Sequence, residues 1–174
     1  MIANRISIER RSKLADRRKR LGDIEVDLII GKNHQGGLLV MLDRASLVTT
    51  INKISSKKPK HIKKLILKRM MGNKHLKTMT FDNDQAFGLH QEIAGELNIK
   101  TFFTRPYTSR DKGSIENRNG VIRRFNPKKT DFTEITARDV KKVERMINNR
   151  PVRKFKYKTP NEVHLLKTRV ALIT

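Results

Sequence analysis

The sequence predicts an α/β fold in which a mixed five-stranded sheet carries helices on both faces. Three apolar segments rich in aliphatic and β-branched residues come first, and the short polar loops between them favour antiparallel strands. Two more apolar segments then alternate with stretches in which apolar residues recur at helical spacing, which favours helices packed against the sheet. With 174 residues the chain is long enough for one domain with a hydrophobic core.

Apolar runs place the strands. In the first strand, apolar residues at every second position from Ile24 to Ile30 line one face, while Glu25 and Asp27 lie on the other. The two glycines of the segment KNHQGG indicate the turn before the second strand. The predicted strands are residues 24–31, 38–42, 47–54, 76–81 and 99–103.

Residues that start or stop helices place the helix boundaries. Pro59 suits a first helical turn, and Gly72 ends the helix that follows it. Thr136 and Asp139 have the spacing of a capping box at the start of another helix. Further helices are predicted over residues 89–97, from about residue 114, and as a short final helix from residue 160.

The charge of the chain predicts a polyanionic partner. Its net charge is +23 and its pI is about 10.8, and clustered Lys and Arg bind phosphates, so nucleic acid is the expected partner. A merely basic surface is the alternative. The chain has no cysteine, which excludes disulfides and zinc–thiolate sites, and its five histidines show no close pairing. Any metal is therefore expected to be a hard ion held by oxygen.

The first twenty residues are predicted as a basic arm or linker, and residues 21–174 as the folded domain. The arm holds eight Lys or Arg, and no apolar face recurs in it. It is either a solvated tail or a segment that follows DNA. The longest apolar runs, of about five residues, are too short to span a bilayer, and no leader peptide is indicated. We therefore expect no membrane association and a cytoplasmic, nucleoid-associated protein.

Three carboxylates stand out between the apolar segments. Asp27 lies within the first strand, Asp82 ends the fourth, and Glu116 follows Asp82 after 33 intervening residues, near a helix start. If the first and fourth strands are neighbours, both aspartates can face one site, and Glu116 can reach it from the helix packed across them. Divalent ions would offset the mutual repulsion of the acids. Two such ions about 4 Å apart can support an in-line displacement at a phosphodiester.

Other interpretations of these acids stay open at this point. Asp27 could be a surface residue of an edge strand, Asp82 could belong to a turn, and Glu116 could be a first-turn acid that favours the helix dipole. Glu25 and Asp43 compete with them as acidic ligands, and Asp84 lies close to Asp82 in the sequence.

Basic residues flank the acids and are predicted to contact DNA. Asn119 and Arg123 follow Glu116 by three and seven positions, so they share one face of its helix. Phosphate contacts position a protein on DNA without reading its sequence, so we expect weak selectivity and strong salt dependence. The predicted contacts are Arg105, Arg110, Lys112, Arg118, Asn119, Arg123, Arg124, Lys141, Lys142 and Arg145.

Several segments resemble one known family. The segments EVDLIIGKNH, TFDN, PYTSRDKGSIENRNGVIRRFNPKKTDF and NNRPVRKFKYKTPNEV are similar to the catalytic core of bacterial transposases of the insertion-sequence-thirty family. This resemblance covers roughly residues 20–166. It implies a ribonuclease H-like fold of the retroviral-integrase-like superfamily, with Asp27, Asp82 and Glu116 as the DDE triad and two Mg²⁺ or Mn²⁺ ions as cofactors.

The resemblance also implies a reaction and an assembly. It implies cleavage of DNA at the ends of a transposon and strand transfer to target DNA, carried out by a homo-oligomer on the DNA. Such transposases carry an N-terminal helix-turn-helix region, which we do not expect before Asp27. The alternatives are a truncated, catalytically impaired DNA-binding relic and a nuclease of the same fold.

Overall fold

One mixed sheet forms the centre of the molecule. The computed structural model describes residues 2–105, 108 and 113–170. The strands of the sheet are β1 (Asp23–Ile30), β2 (Gly37–Asp43), β3 (Thr49–Ile54), β4 (Thr78–Phe81) and β5 (Lys100–Phe103). In the described ranges the α-helices are α1 (Lys13–Asp16), α2 (Pro59–Met70), α3 (His90–Leu97), α4 (Gly113–Ile122), α5 (Ala137–Asn148) and α6 (Pro160–Val170).

The strand order in the sheet is β3-β2-β1-β4-β5. Strand β2 is antiparallel to both β1 and β3, as expected for strands joined by short loops. Strands β1, β4 and β5 are parallel, and the connections that lead into β4 and β5 contain helices α2 and α3. The predicted mixed α/β sheet is therefore confirmed.

Helices cover both faces of the sheet, and each face has its own core. Helices α2 and α3 pack on one face, where Val26, Met79 and Phe81 lie in one cluster of buried residues. Helices α4 and α5 pack on the other face, where Ile29 and Ile115 belong to a second cluster. Because successive side chains of a strand point to opposite faces, the position of a residue along β1 or β4 decides which helices it meets.

The segment before β1 lies against the domain. Ser7 forms a parallel bridge with Phe103, and the backbone N–H of Phe103 donates to the carbonyl of Ile6 at 2.8 Å. Ile8 and Ala15 are buried, although the segment was predicted from its charge as a basic arm. An irregular segment leaves no periodic apolar face, so its packing was not visible in the sequence pattern.

Several boundaries differ from the prediction, and the largest shifts among the strands are at the starts of β3 and β4, since β4 begins at Thr78 where residue 76 was expected. Strand β3 begins at Thr49, two residues later than expected, because Leu47 has a φ of 61° and its N–H donates to the carbonyl of Asp43 in the turn. The predicted short final helix extends over Pro160–Val170. The capping box of α5 is confirmed, since the hydroxyl of Thr136 accepts from the N–H of Asp139 at 3.1 Å. No helix among the described residues has the length and apolar content needed to cross a bilayer.

Gly22 lies against the backbone of the segment that leads into β4, and its substitution tests this close contact. It has a φ of +90°, and a Cβ at this position would overlap the carbonyl oxygen of His75, three residues before β4. We expect Gly22→Ala to lower the free energy of unfolding by roughly 1–3 kcal/mol, because it adds both backbone strain and a backbone clash. Urea unfolding followed by circular dichroism measures this loss.

Gly95→Ala is the matched control. Gly95 lies in α3 with open space around it, so the substitution should raise the free energy of unfolding by about 0.5–1 kcal/mol. Equal effects of the two substitutions would contradict the role given to Gly22.

Candidate active site

Asp27 and Asp82 lie on neighbouring parallel strands. In the register of β1 with β4, Asp23 is opposite Thr78 and Glu25 is opposite Thr80. Continuing that register by two residues in each chain segment brings Asp27 level with Asp82, immediately after β4 ends. Sites in open α/β sheets form at the carboxyl ends of such strands. The condition on which the sequence argument depended, that the first and fourth strands are neighbours, is confirmed.

Both aspartates belong to the face that α4 covers. Val26 and Phe81 lie in the core under α2 and α3, so the alternation of side chains turns Asp27 and Thr80 to the opposite face. Asp82 continues the alternation of β4 beyond Thr80. Asp27 and Asp82 are both half-buried.

Helix α4 runs along β1 in the same direction. The N–H of Ile115 donates to Oε2 of Glu25 at 2.9 Å, and Nδ2 of Asn119 donates to Oδ2 of Asp27 at 2.9 Å. Four residues of helix and two residues of strand advance by similar distances, about 6 Å and 6.6 Å, so the two contacts keep the same alignment. The carboxylate of Asp27 is therefore tied directly to the helix that carries Glu116.

Glu116 occupies the edge of α4 nearer to β4. It is exposed and shares this edge with Asn119 and Arg123. The opposite edge is marked by Arg118, whose guanidinium donates to the carbonyl of Leu47 at 3.2 Å in the turn between β2 and β3. Because β2 and β4 flank β1 on opposite sides, the edge that carries Glu116 faces the side where Asp82 lies.

The three acids do not form a preformed cage. Over residues 2–105, 108 and 113–170, no three His, Cys, Asp or Glu side chains are grouped so that they could hold a metal ion. Asp27, in the middle of β1, is level with Asp82, which directly follows β4, and Glu116 lies on the helix packed on this face. Their assignment as catalytic residues and metal ligands stays a prediction.

Each competing carboxylate already has partners. Glu25 binds the N–H of Ile115 and lies against Arg44. Asp43 accepts the N–H groups of Ala45 and Ser46, and its other oxygen accepts the N–H of Gly22 at 2.7 Å. These contacts organise a helix start and a turn.

Asp84 also has partners of its own. It accepts the N–H of Ala86 at 2.9 Å and pairs with Lys57 at 2.5 Å. Like Glu25 and Asp43, it contributes to local structure.

A buried network of charged side chains lies next to the aspartates, two residues earlier along β1 and β4. Arg44 Nε lies 2.8 Å from Oε1 of Glu25, as an ion pair without the alignment of a hydrogen bond. Arg11 donates to the hydroxyl of Thr80 at 2.9 Å, and both arginines reach Asp16. Burial raises the pKa of Glu25 above its ordinary value, while the charge of Arg44 and the N–H of Ile115 oppose that rise. Burial and the charge of Arg44 lower the pKa of Arg11.

The predicted DNA contacts near the acids lie in different environments. Arg105 is exposed and lies 3.4 Å from Glu9, whereas Arg118 is only 8% exposed. Asn119 binds Asp27, and Arg123 donates to the carbonyl of Ile30 at 3.0 Å. The predicted contacts Arg110 and Lys112 lie outside the described residues.

The remaining predicted contacts lie mostly on the surface. Arg124, Lys142 and Arg145 are exposed. Lys141 pairs with Glu144 at 2.7 Å, and Glu144 also binds Arg69 and the N–H of Ile51. Lys141 is therefore partly engaged within the domain, and its contact with DNA stays a prediction, as do the other contacts.

Sequence reasoning missed the network of Arg11, Asp16, Arg44 and Glu25. Its one visible signal was the presence of Glu25 and Asp27 on the same face of β1. The partners Arg11 and Arg44 come from distant segments with no periodic pattern, so their burial could not be inferred from local sequence.

Comparison with known proteins finds related sequences that include transposases for insertion sequence elements. The chain is 41% identical over 162 residues to the transposase for insertion sequence element IS4351 of Bacteroides fragilis, a match that covers 92% of this chain and 50% of that protein. It is 30% identical over 164 residues to transposase InsI for insertion sequence element IS30A of Escherichia coli, covering 93% of this chain and 43% of that protein. The chain thus spans about half the length of these relatives. No protein-family model matches it.

Two solved structures of viral origin share this fold. The catalytic core domain of BIV integrase matches with a TM-score of 0.66 and 14% identity, covering 86% of this chain and 97% of that one. A chain from the simian T-cell lymphotropic virus intasome, solved with PP2A regulatory subunit B56 gamma, matches with a TM-score of 0.68 and 16% identity. That match covers 84% of this chain and 55% of the other. The ribonuclease H-like fold expected from the sequence is confirmed.

The raised pKa of Glu25 gives a pH dependence with a definite sign. A carboxyl group with a raised pKa binds more protons in the folded state, so its contribution to stability is complete below its unfolded value and is lost as pH rises through the folded value. We expect the free energy of unfolding of the native chain, minus that of Glu25→Gln, to fall as pH rises from below the ordinary value of 4.5. Urea unfolding of both proteins between pH 4 and pH 7 measures this difference.

The other carboxyl groups titrate in both proteins and cancel in the comparison. A difference that rises with pH over the same window would show instead that the charged form of Glu25 is favoured in the fold.

Proposed function

We propose that this chain, which is similar to transposases of the insertion-sequence-thirty type, is the catalytic core that cleaves DNA at transposon ends and joins it to a target. The observation that carries this proposal is the register of β1 with β4, because it brings Asp27 level with Asp82 on the face that α4 covers. Asn119 then ties the carboxylate of Asp27 to the helix that carries Glu116. We take these three acids as the catalytic residues.

The residues suit hard divalent ions. Asp27, Asp82 and Glu116 offer only oxygen donors, and carboxylates are the ligands that Mg²⁺ and Mn²⁺ prefer. Mg²⁺ is commonly held by one or two carboxylates together with substrate phosphates, so the aspartate pair supplies the expected number of protein ligands. Two such ions, when bound, would activate an attacking oxygen and stabilise a leaving oxygen of the phosphodiester.

The protein's own groups position the acids and the DNA. The amide of Asn119 orients the carboxylate of Asp27 and restricts its rotation. The helix that begins at Gly113 fixes the height of Glu116 above the sheet, since Glu25 holds its first turn. The exposed basic residues near these acids bind phosphates and set the register of the strand without reading its bases.

The proposed reaction needs partners that extend beyond this chain. We propose that transposon ends and target DNA are the substrates and that the protein acts as a homo-oligomer on DNA. The net charge of +23 supports a DNA partner. In a cell such a protein would be found in the cytoplasm on the nucleoid. Sequence-specific recognition of the ends would come from a region other than this core.

Asp82→Asn tests the assignment of the catalytic acids. The substitution keeps the size of the side chain and removes the charge that would hold a divalent ion, so Mg²⁺-dependent nicking and joining should fall by at least about 1,000-fold while DNA binding persists. A labelled duplex that carries the element's end, resolved on denaturing gels, reports nicking and joined product separately. Asp84→Asn is the control, and its activity should stay within about threefold of the native chain, because an amide oxygen can still accept the N–H of Ala86.

The possible outcomes separate the candidates. Undiminished activity of Asp82→Asn would contradict the triad. Nicking without joining in the native chain would indicate a nuclease of the same fold, and DNA binding without either reaction would indicate an inactive relic.

Asn119→Ala tests the positioning of Asp27. Loss of a partner that orients a metal ligand commonly costs about 10- to 100-fold in metal affinity, so we expect weaker Mn²⁺ binding by that factor. Electron paramagnetic resonance of free Mn²⁺ during titration measures it. Asn117→Ala is the control, since Asn117 is an exposed residue of the same helix. Equal Mn²⁺ affinities in the two variants would contradict the positioning role.

A further inference from the structure

A strongly basic cleft lies on the edge of α4 opposite Glu116. It has a volume of about 350 Å³ and brings together residues that are far apart in the sequence. Helix α4 supplies one wall, and the segment after α5 supplies another. The basic residues that line the cleft are Arg18, Arg118, Arg124, Arg150, Arg153 and Lys154.

The positive charge of this cleft is not neutralised within the part of the chain that the structure describes. None of the described lining residues is an aspartate or glutamate, and none of the six cations forms an ion pair there. Elsewhere in the protein the pattern is different, since Lys63 lies between Glu92 and Glu96 and Arg69 pairs with Glu144. The cleft therefore concentrates like charges at a cost in stability that an anion would remove.

The titration of one lining residue agrees with this repulsion. Burial lowers the pKa of Lys154, and the charges of Arg18 and Arg44 lower it further. A bound anion would oppose this shift.

Neutral hydrogen-bond donors in the cleft also suit an anionic ligand. Gly113 and Ser114, the first residues of α4, line the cleft, so the N-terminal end of a ten-residue helix opens into it. The hydroxyl of Ser114 is buried and has no hydrogen-bond partner among the described residues. A buried hydroxyl without a partner is costly, and a phosphate oxygen would satisfy it.

We propose that this cleft is a second phosphate-binding site, which holds consecutive phosphates of the DNA strand on the side of α4 away from the acids. Arg118 lies in α4 and Arg124 lies two residues beyond the end of that helix at Ile122, so the two are separated along the chain by more than one turn of helix, which rises about 5.4 Å. The cleft therefore suits a chain of phosphates better than an isolated anion. The identity of the strand as substrate DNA rests on the proposed function.

Phosphates bound in the cleft would add to the salt dependence of the affinity for DNA. Each phosphate neutralised on duplex DNA contributes about 0.9 to the slope of log affinity against log salt concentration. The cleft makes no use of base edges, so it strengthens binding equally on all sequences.

The test compares two triple variants with the same change in net charge. The cleft variant carries Arg124→Gln, Arg150→Gln and Arg153→Gln, all at exposed positions. The control carries Lys60→Gln, Lys64→Gln and Lys68→Gln, exposed residues of α2 on the opposite side of the sheet. Fluorescence anisotropy of a labelled duplex, measured from 50 to 300 mM KCl in EDTA, gives affinity and salt slope without any chemistry.

We expect the magnitude of the slope of log affinity against log salt concentration to fall by about 2–3 in the cleft variant and by less than about 1 in the control. Equal slopes for the two variants, or a cleft variant with the native slope, would overturn the proposal. If the triple variant fails to fold by circular dichroism, Arg150→Gln alone should lower the slope by about 1, and an unchanged slope would then be decisive.

A second titration distinguishes a strand from a free anion. Inorganic phosphate is added to each protein while thermal unfolding is followed. If phosphate stabilises the native chain but not the cleft variant, while both bind DNA with the same slope, the cleft is a small-anion site and the proposal is wrong. Because the DNA measurements exclude divalent ions, failure of nicking by the native chain would reject the proposed function and leave the cleft result intact.

Discussion

The arrangement of the site depends on one buried hydrogen bond, from the N–H of Ile115 to the carboxylate of Glu25. Glu25 is 2% exposed, and taking a carboxylate out of water costs several kcal/mol unless partners compensate it. Arg44 provides the opposite charge, and the first turn of α4 provides a donor that has no partner within the helix. The same contact therefore satisfies a buried acid and fixes a helix on the sheet.

Once its first turn is fixed, α4 separates two chemical environments. One edge carries Glu116 beside Asn119 and faces the aspartates, whereas the other carries Arg118 and faces the basic cleft, in which none of the described lining residues is an acid. The proposed acidic ligands of a cation and the proposed phosphate ligands of the cleft are thus kept apart by the width of one helix. Mixing them would neutralise both, because adjacent carboxylates and guanidinium groups pair with each other in place of their ligands.

Much of the fold could be predicted from local sequence. Alternation in β1 put Glu25 and Asp27 on one face, and Thr136 with Asp139 marked the start of α5 where the structure has it. These signals are local, because they depend on the two-residue period of a strand and on the donors left free at a helix start. The start of β3 was predicted two residues too early, since the positive φ of Leu47 has no signal in an aliphatic side chain.

The candidate site was only partly predictable for a physical reason. The sequence placed Asp27 within the first strand and Asp82 at the end of the fourth, but only the sheet order makes them neighbours. The helical period assigned Asn119 and Arg123 to the edge of Glu116, while the burial of Arg118 depends on the turn at Leu47. Partners that come from distant segments, such as Arg11 and Thr80, leave no local pattern.

The order in which this sheet can assemble follows from its pairing. Strands β1, β2 and β3 are joined by short loops, so they can pair as soon as they leave the ribosome. The parallel half of the sheet needs Asp23 to pair with Thr78, and the first segment needs Ile6 to bind Phe103. Both contacts join residues that are far apart in the chain, so they can form only after the later residue has been synthesised. Asp82 becomes level with Asp27 only when β4 has paired with β1. The pairing that aligns the two aspartates is therefore non-local, unlike the pairing of the first three strands.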